Sequence, residues 1–128
     1  MPIDRRAIDA AGAPPAVGPY SHGVTVQGLW LFCSGQLGLD SEGELTSEDL
    51  AQQCERCLRN LQAVCAAAGT RLSRAIKVTV YTTEIDRFAE INEVYARYFE
   101  DDPPARAAVG IAALPKNAKV MIDAIVAL

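Results

Sequence analysis

The last ten residues of the chain read as a β-strand whose two faces are both apolar. Alternate positions between Lys119 and Leu128 place Val120, Ile122, Ala124 and Val126 on one face and Met121, Asp123, Ile125 and Ala127 on the other. Only Asp123 among them is polar. A strand of this kind belongs in a sheet that is covered on both sides, so the rest of the fold has to supply two covering layers.

The remaining pattern supplies more strands and two helices. Period-two or β-branched stretches predict strands at 23–26, 29–34, 75–82 and 106–112, with a further short strand at 37–39 and a turn at Gln27-Gly28. This order of strands, helix, strand, helix, strands predicts an α+β domain: a mixed β-sheet with two helices packed on one face.

Both predicted helices have start and stop signals. Thr46 or Ser47 is the expected cap of the first, and Gly69 is its expected end. Its apolar stripe consists of Leu50, Cys54, Leu58, Leu61 and Cys65. Asp86 is the expected cap of the second, whose stripe is Phe88, Ile91, Tyr95 and Tyr98 or Phe99, and Pro103-Pro104 ends that region.

Two helices can cover only one face of the sheet. The face that carries Met121, Ile125 and Ala127 would remain a large exposed apolar patch unless another subunit covered it. We therefore expect a homo-oligomer whose sheets pack against each other, with ligand sites at the subunit boundaries.

Length, composition and charge argue against several classes of protein, namely nucleic-acid-binding, exported and membrane-spanning proteins. With 128 residues, the chain is expected to form a single domain over 1–128. A formal charge of -4 and a pI of about 4.9 argue against nucleic-acid binding. The start lacks the apolar core of a signal peptide, and no apolar run is long enough for a membrane span. Four cysteines without an export signal are typical of a reduced, cytoplasmic protein.

Two short motifs suggest chemistry that their setting argues against. Cys54-x-x-Cys57 lies inside a predicted helix, and His22 is the only histidine, so neither a redox motif nor a zinc site is expected. Ser21 and His22 are adjacent and would point to opposite faces of an extended segment, which argues against a nucleophile and base. The chain also has no P-loop and no dinucleotide-binding fingerprint.

Polar groups at Gly/Pro-rich edges of the sheet are better candidates for a binding site: Tyr20, Ser34, Gln36 and Arg106. Arg106 follows a rigid Pro103-Pro104 pair, so its guanidinium can be held to meet a ligand carboxylate with two hydrogen bonds. An ordinary structural ion pair is the alternative. Tyr20 can equally be a packing residue, and Ser34-Gly35 a simple bend.

An ordered set of segments resembles the RidA/YjgF family of reactive enamine/imine deaminases. The matching pieces are Gly18-Pro19-Tyr20-Ser21, Ser34-Gly35-Gln36, Asn60-Leu61, Ala67-Ala68-Gly69, Lys77-Val78-Thr79-Val80, Asn92-x-x-Tyr95-x-x-Tyr98-Phe99, Pro104-Ala105-Arg106 and Leu114-Pro115. Their order and spacing extend over about residues 14 to 127. No single piece is decisive, but the ordered set is specific.

The resemblance implies a chorismate-mutase-like homotrimer with three clefts between subunits. It implies that Arg106 binds the substrate carboxylate, that Tyr20 and Ser34 lie beside the substrate, and that backbone groups at Ala108 contact it, where many relatives carry cysteine. It also implies hydrolysis of 2-aminoacrylate and 2-iminobutanoate-type compounds to 2-oxo acids and ammonia, without cofactor or metal.

One position departs from the family pattern. Met121 stands where the resemblance implies a glutamate that holds the attacking water. Asp123 shares its strand face but lies roughly 7 Å further along, so we do not expect it simply to replace the glutamate. Two hypotheses follow: a deaminase that works without the glutamate, and a module that binds 2-oxo acids or similar small carboxylates. An RNA-directed role fits poorly with the acidic charge.

Overall fold

A computed structural model of the protein describes residues 4–128. Residues 1–3, which belong to the start of the chain considered above for a signal peptide, lie outside that range. The strands are β1 (Arg5–Ile8), β2 (Gly23–Val26), β3 (Trp30–Leu37), β4 (Ala75–Thr82), β5 (Ala105–Gly110) and β6 (Val120–Ala127), and the helices are α1 (Leu50–Ala67) and α2 (Phe88–Ala96). Single 3-10 turns occupy Leu72–Arg74, Ile85–Arg87 and Pro115–Asn117.

The main sheet has four strands in the order β3-β6-β4-β5. β6 lies in the centre and is antiparallel to both β3 and β4, whereas β4 and β5 are parallel. The α+β architecture with a mixed sheet and two helices on one face is therefore confirmed. β1 and β2 form a separate antiparallel pair, so the Gly28 turn connects strands of different sheets rather than a hairpin.

The core lies between the main sheet and the helices. α1 packs on β3 and β6, and α2 packs beside α1. The expected stripe of α1 is fully buried at Leu50, Cys54, Leu58, Leu61 and Cys65. Opposite it, Val120, Ile122, Ala124 and Val126 of β6 are buried as well. Each buried valine or isoleucine side chain among them contributes about 1.5–3 kcal/mol of burial free energy, which fixes the register of β6.

The start of α1 approaches the sheet closely at Gly38. A Cβ atom at Gly38 would lie 2.9 Å from the Cα atom of Gln53, so only glycine fits there. The fully buried Gln53 amide is satisfied, because it donates to the Ser47 carbonyl and accepts from the Lys119 backbone N–H.

Both expected helix caps were wrong. Asp49 caps α1, since its carboxylate accepts from the Gln52 N–H. The Ser47 hydroxyl instead accepts from the Asp49 N–H, in a turn just before the helix. A 3-10 turn over Ile85–Arg87 precedes α2, so Asp86 does not cap it. Caps are hard to locate when several small polar residues stand in a row, because each can close a turn. Gly69, with a φ of 79°, ends α1 as expected.

The strand bounds differ in smaller ways. β1 was missed, because four residues beginning with two arginines carry too little alternation to signal a strand. β3 is one long strand that includes Leu37, so no separate strand occupies 37–39. β2 and β4 have the expected bounds, whereas β5 ends earlier than expected, at Gly110.

The second face of the sheet is open in the single chain, as expected. Phe32 and Trp30 are 67% and 47% exposed, and they pair across the strands with Ile125 and Ala127 of β6. We call this surface the open face; its residues come from β3, β6, β4 and β5, and include Trp30, Phe32, Tyr81, Val109, Met121, Asp123 and Ile125. No helix in residues 4–128 is long and apolar enough to cross a membrane.

Candidate ligand-binding site

Arg106 lies near the start of β5 and points towards the helices. It pairs in parallel register with Val78 of β4, which is fully buried on the helix side. Side chains at paired positions project to the same face of a sheet, so the guanidinium lies on the face opposite the open face. The Pro103-Pro104 segment immediately before β5 restrains the backbone there.

Three aromatic rings and one amide surround the half-buried guanidinium. Its central carbon lies 4.8 Å from the ring centroid of Tyr95, 5.1 Å from that of Phe88 and 5.4 Å from that of Tyr20. Arg106 Nη1 donates to Asn92 Oδ1 at 2.7 Å. Phe88, Asn92 and Tyr95 are spaced four and three residues apart, so one face of α2 supplies all three. Cation–π contact of this kind holds an arginine in place without neutralising it.

The structural ion pair considered for Arg106 is not formed among the described residues. Within residues 4–128 the ion pairs involve His22 and four arginines other than Arg106. Burial lowers the pKa of the Arg106 guanidinium, and the neighbouring Tyr95 and Tyr20 oppose that shift. Arginine nevertheless remains charged at any physiological pH. A half-buried cation without a counter-ion within this part of the chain is suited to bind an anion.

The Gly/Pro-rich loop brings Tyr20 to this arginine. A Cβ atom at Gly18 would lie 3.6 Å from Arg106 Nη2 and 3.6 Å from Asn92 Nδ2, so the loop backbone borders the guanidinium. The Tyr20 N–H donates to the Gly18 carbonyl at 2.8 Å, which closes a tight turn. The loop therefore places the Tyr20 ring against the Arg106 guanidinium.

Ser21 and His22 hold that loop and do not face each other. The Ser21 hydroxyl donates to the Pro103 carbonyl, and the Ser21 N–H donates to the Pro104 carbonyl at 3.2 Å. His22 Nδ1 accepts from the Ala10 N–H at 2.8 Å, and its Nε2 lies 2.7 Å from the Pro14 carbonyl. Both ring nitrogens are thus occupied, which agrees with the expected absence of a nucleophile–base pair.

A second group of candidate residues lies on the open face. Ser34 and Gly35 form a bulge in β3, between the pairs Cys33–Ala124 and Gln36–Ile122. Met121 covers the bulge: a Cβ atom at Gly35 would lie 2.7 Å from the Met121 sulfur. Nearby on the same face, the Tyr81 hydroxyl donates to Asp123 Oδ2 at 3.2 Å. Burial and then the Asp123 carboxylate raise the pKa of Tyr81, so it remains a donor.

One chain does not bring the two groups together. Arg106 lies on the edge strand β5 and Ser34 on the opposite edge strand β3, with β4 and β6 between them. Three strand spacings amount to about 14 Å, and the side chains point to opposite faces. Ala108 belongs with Arg106, since it pairs with the buried Val80 on the same face and is exposed. Ser34 and Met121 are therefore separated from Arg106, Tyr20 and Ala108 in the single chain.

Sequence reasoning missed three neighbours of Arg106: Asn92, Phe88 and Tyr95. The helical pattern placed Phe88 and Tyr95 on a buried stripe and read them as core. The sequence feature that could have indicated these contacts is Asn92 itself. It is a polar residue on the same face of α2 as the stripe, four residues after Phe88. Such a polar interruption of a buried stripe indicates a partner, because buried amides are almost always hydrogen-bonded.

The cysteines belong to the core. Cys33, Cys54, Cys57 and Cys65 are all free and buried. Burial raises the pKa of the Cys54 thiol to about 12 and that of Cys33 to about 11, so neither is a reactive thiolate. Within the described part of the chain, no group of three or more His, Cys, Asp or Glu residues could hold a metal ion.

Comparison with known proteins assigns the family. The model of the family described as Endoribonuclease L-PSP matches residues 10–128. A RutC family protein, y4sK of Sinorhizobium fredii, is 49% identical over 122 residues, which cover 94% of this chain and 96% of that protein. The chain belongs to the RidA/YjgF family. Members of this family include the human 2-iminobutanoate/2-iminopropanoate deaminase, 41% identical over 94% of this chain and 88% of that protein.

A solved RidA/YjgF structure has the same fold. Escherichia coli TdcF with bound serine superimposes with a TM-score of 0.73 and is 37% identical, covering 96% of this chain and 98% of that one. The similarity covers 96% of this chain, and the names of these relatives report imine deamination and a bound amino acid.

Proposed function

We propose that the protein hydrolyses reactive 2-imino and 2-enamino acids, of the 2-iminobutanoate and 2-aminoacrylate type, to 2-oxo acids and ammonia. The observation that carries the proposal is the Arg106 guanidinium, fixed by Asn92 and three rings and without an acidic partner in residues 4–128. The name of the human relative and the serine bound to TdcF, which is itself an α-amino acid, support a ligand with a carboxylate next to a C–N bond.

Binding explains much of the chemistry. Two parallel hydrogen bonds from Arg106 to the carboxylate fix the neighbouring C=N carbon in one orientation, with Tyr20 beside it. A water molecule attacks that carbon, a carbinolamine forms, and ammonia leaves as the C=O bond forms. Holding substrate and water together removes several kcal/mol of entropic cost from this step. Hydrolysis of an imine needs no redox change, and no group of three or more His, Cys, Asp or Glu residues in residues 4–128 could hold a metal ion. We therefore propose that no cofactor or metal takes part.

The proposal requires a second copy of the chain. Ser34 and Met121 lie on the open face, three and two strand spacings from Arg106, or about 14 Å and about 10 Å across the sheet. They would therefore reach the ligand from a neighbouring subunit. The exposed Trp30 and Phe32 give that face the apolar surface that a subunit contact needs. We propose a homotrimer with three clefts, each lined by Arg106 and Tyr20 of one copy and by Ser34 and Met121 of the next.

Nucleic acid is not part of the proposal, although the family description contains the word endoribonuclease. The chain carries 12 Lys and Arg against 16 Asp and Glu. Affinity for nucleic acids depends on neutralising phosphates with cations, and a net charge of -4 opposes it. Cytoplasmic location also stays a prediction, and it fits free, buried cysteines.

A trap assay tests the proposed reaction. A pyridoxal-phosphate dehydratase generates the imine from serine or threonine, and semicarbazide competes with hydrolysis by forming a semicarbazone. Added protein is expected to lower the yield of semicarbazone and to raise the yield of free 2-oxo acid by the same amount. Arg106→Ala is the paired variant and should behave like a buffer control. Equal semicarbazone with and without the wild-type protein would exclude the deaminase.

A carboxylate-binding module is the second candidate, because of Met121. Its thioether covers Gly35 in the position where the family pattern has a glutamate, and a thioether does not take up a proton from water. Such a module would bind 2-oxobutanoate or a similar acid without turnover. Calorimetry with 2-oxobutanoate, benzoate and acetate separates the candidates together with the trap assay: binding without hydrolysis supports the module, and no binding heat from any of the acids contradicts it.

A further inference from the structure

The bulge in β3 gives Asp123 a neighbour that the sequence does not reveal. From Cys33 to Gln36 β3 advances three residues, while the paired positions on β6, Ala124 to Ile122, advance two. Ser34 and Gly35 together therefore stand opposite Asp123. Bulges of this kind re-aim a side chain and are common beside active sites.

Ser34 and Asp123 also share a face. Cys33 and Ala124 are buried under the helices. Ser34, which follows Cys33, and Asp123, which precedes Ala124, therefore point to the open face. Residues that face each other in a regular antiparallel pair have Cβ atoms about 4.5–5.5 Å apart, and the bulge sets Ser34 and Gly35 together opposite Asp123. Along β6, Asp123 lies roughly 7 Å from Met121, so Ser34 on the adjacent strand is the nearer of the two candidate residues.

Among the described residues, only one of the two Asp123 carboxylate oxygens accepts a hydrogen bond. Oδ2 accepts from the Tyr81 hydroxyl at 3.2 Å, whereas Oδ1 accepts no hydrogen bond from the described residues. Tyr81 stands on β4 in register with Met121, so its hydroxyl reaches Asp123 diagonally across the strands. A carboxylate that is oriented through one oxygen and open at the other has the arrangement of a general base.

We propose that Asp123 is the catalytic base of this protein, with Tyr81 as its positioning residue; this rests on the deaminase function proposed above. As the water oxygen bonds to the C=N carbon of a protonated imine, Asp123 takes one water proton and the C=N electron pair moves to nitrogen. Protonated Asp123 then gives that proton to the amine. The C–N bond breaks, the C=O bond forms, and the departing ammonia takes up the hydroxyl proton.

Steady-state kinetics of imine hydrolysis tests this with four variants. Asp123→Asn keeps an oxygen that accepts from Tyr81 but removes the base, so kcat should fall about 100-fold or more. KM should change little, because Arg106 still holds the carboxylate. Tyr81→Phe should lower kcat by a smaller factor. Asp123→Asn combined with Met121→Glu should recover activity, since a carboxylate returns to the same face, and the matched control Asp123→Asn with Met121→Gln should not.

The outcomes separate the two proposals. No hydrolysis by the wild type overturns both. An active wild type with unchanged kcat in Asp123→Asn overturns the role of Asp123 and leaves the deaminase in place. Light scattering establishes that each variant assembles like the wild type. If Asp123→Asn does not assemble, Tyr81→Phe and Asp123→Glu decide: wild-type kcat in Tyr81→Phe together with loss of activity in an assembled Asp123→Glu supports a structural role and overturns the proposal.

Discussion

The Arg106 site and the Ser34-Gly35 bulge with its neighbours on β6 differ in how many of their contacts lie within one chain. Arg106 has its ring neighbours, its amide partner and its loop contact within a single chain. The bulge has only a thioether, a hydroxyl and the Asp123–Tyr81 pair, spread over an open apolar face. The proposed carboxylate site is thus complete within one chain, whereas the proposed chemistry depends on a second copy.

The largest effect is expected from a substitution at the Arg106 site, whose contacts lie within one chain. Arg106→Ala should lower kcat/KM for imine hydrolysis by about 100-fold or more, which corresponds to about 3 kcal/mol for the lost charge-assisted hydrogen bonds. Arg59→Ala is the control, because Arg59 is an exposed arginine paired with Glu55. Both are measured in the semicarbazide assay. If the two variants were equally active, Arg106 would not bind the substrate carboxylate.

The next effect concerns the open face. Phe32→Asp places a charge on an exposed side chain, so the folded monomer should persist, but a subunit interface would have to bury that charge. We expect a trimeric mass for the wild type by light scattering and a monomeric mass for Phe32→Asp, with loss of hydrolysis. Ala63→Asp adds the same charge to the exposed side of α1 and should leave the mass unchanged. A trimeric, active Phe32→Asp would contradict the shared cleft.

A smaller effect is expected at Asn92. Asn92→Ala removes the acceptor 2.7 Å from Arg106 Nη1 but leaves the three rings in place. Loss of one hydrogen bond to a charged group costs about 1.5 kcal/mol, or roughly ten-fold in the dissociation constant of 2-oxobutanoate. Asn92→Asp is the informative partner, because a carboxylate there would neutralise Arg106 and weaken binding further. Calorimetry that finds tighter binding to Asn92→Asp would contradict an anion site.

The Arg106 site and the bulge also differ in how well the sequence predicts them. Periodicity predicted β4, β6 and the stripe of α1, because burial on a regular element leaves a regular pattern. Arg106 and Tyr20 were predicted to share a site, and the structure places them in contact. The register shift at Ser34-Gly35 was not predictable, since a bulge depends on pairing between strands about 90 residues apart. Asn92 was noted only as part of a family motif, and the apolar pattern of its helix gave no sign that it contacts Arg106.

The smallest expected effect is at Met121, and it tests the open face directly. Met121→Glu keeps the length of the side chain above Gly35 and adds the carboxylate that the family pattern has there. If Asp123 already serves as the base, the gain in kcat should be less than about ten-fold, because a second base adds little to a step that has one. Met121→Gln is the matched control, with the same size and no charge, and should show no gain in kcat. A gain of about 100-fold or more in Met121→Glu alone would mean that the wild-type bulge lacks a base, and that its open face serves binding more than chemistry.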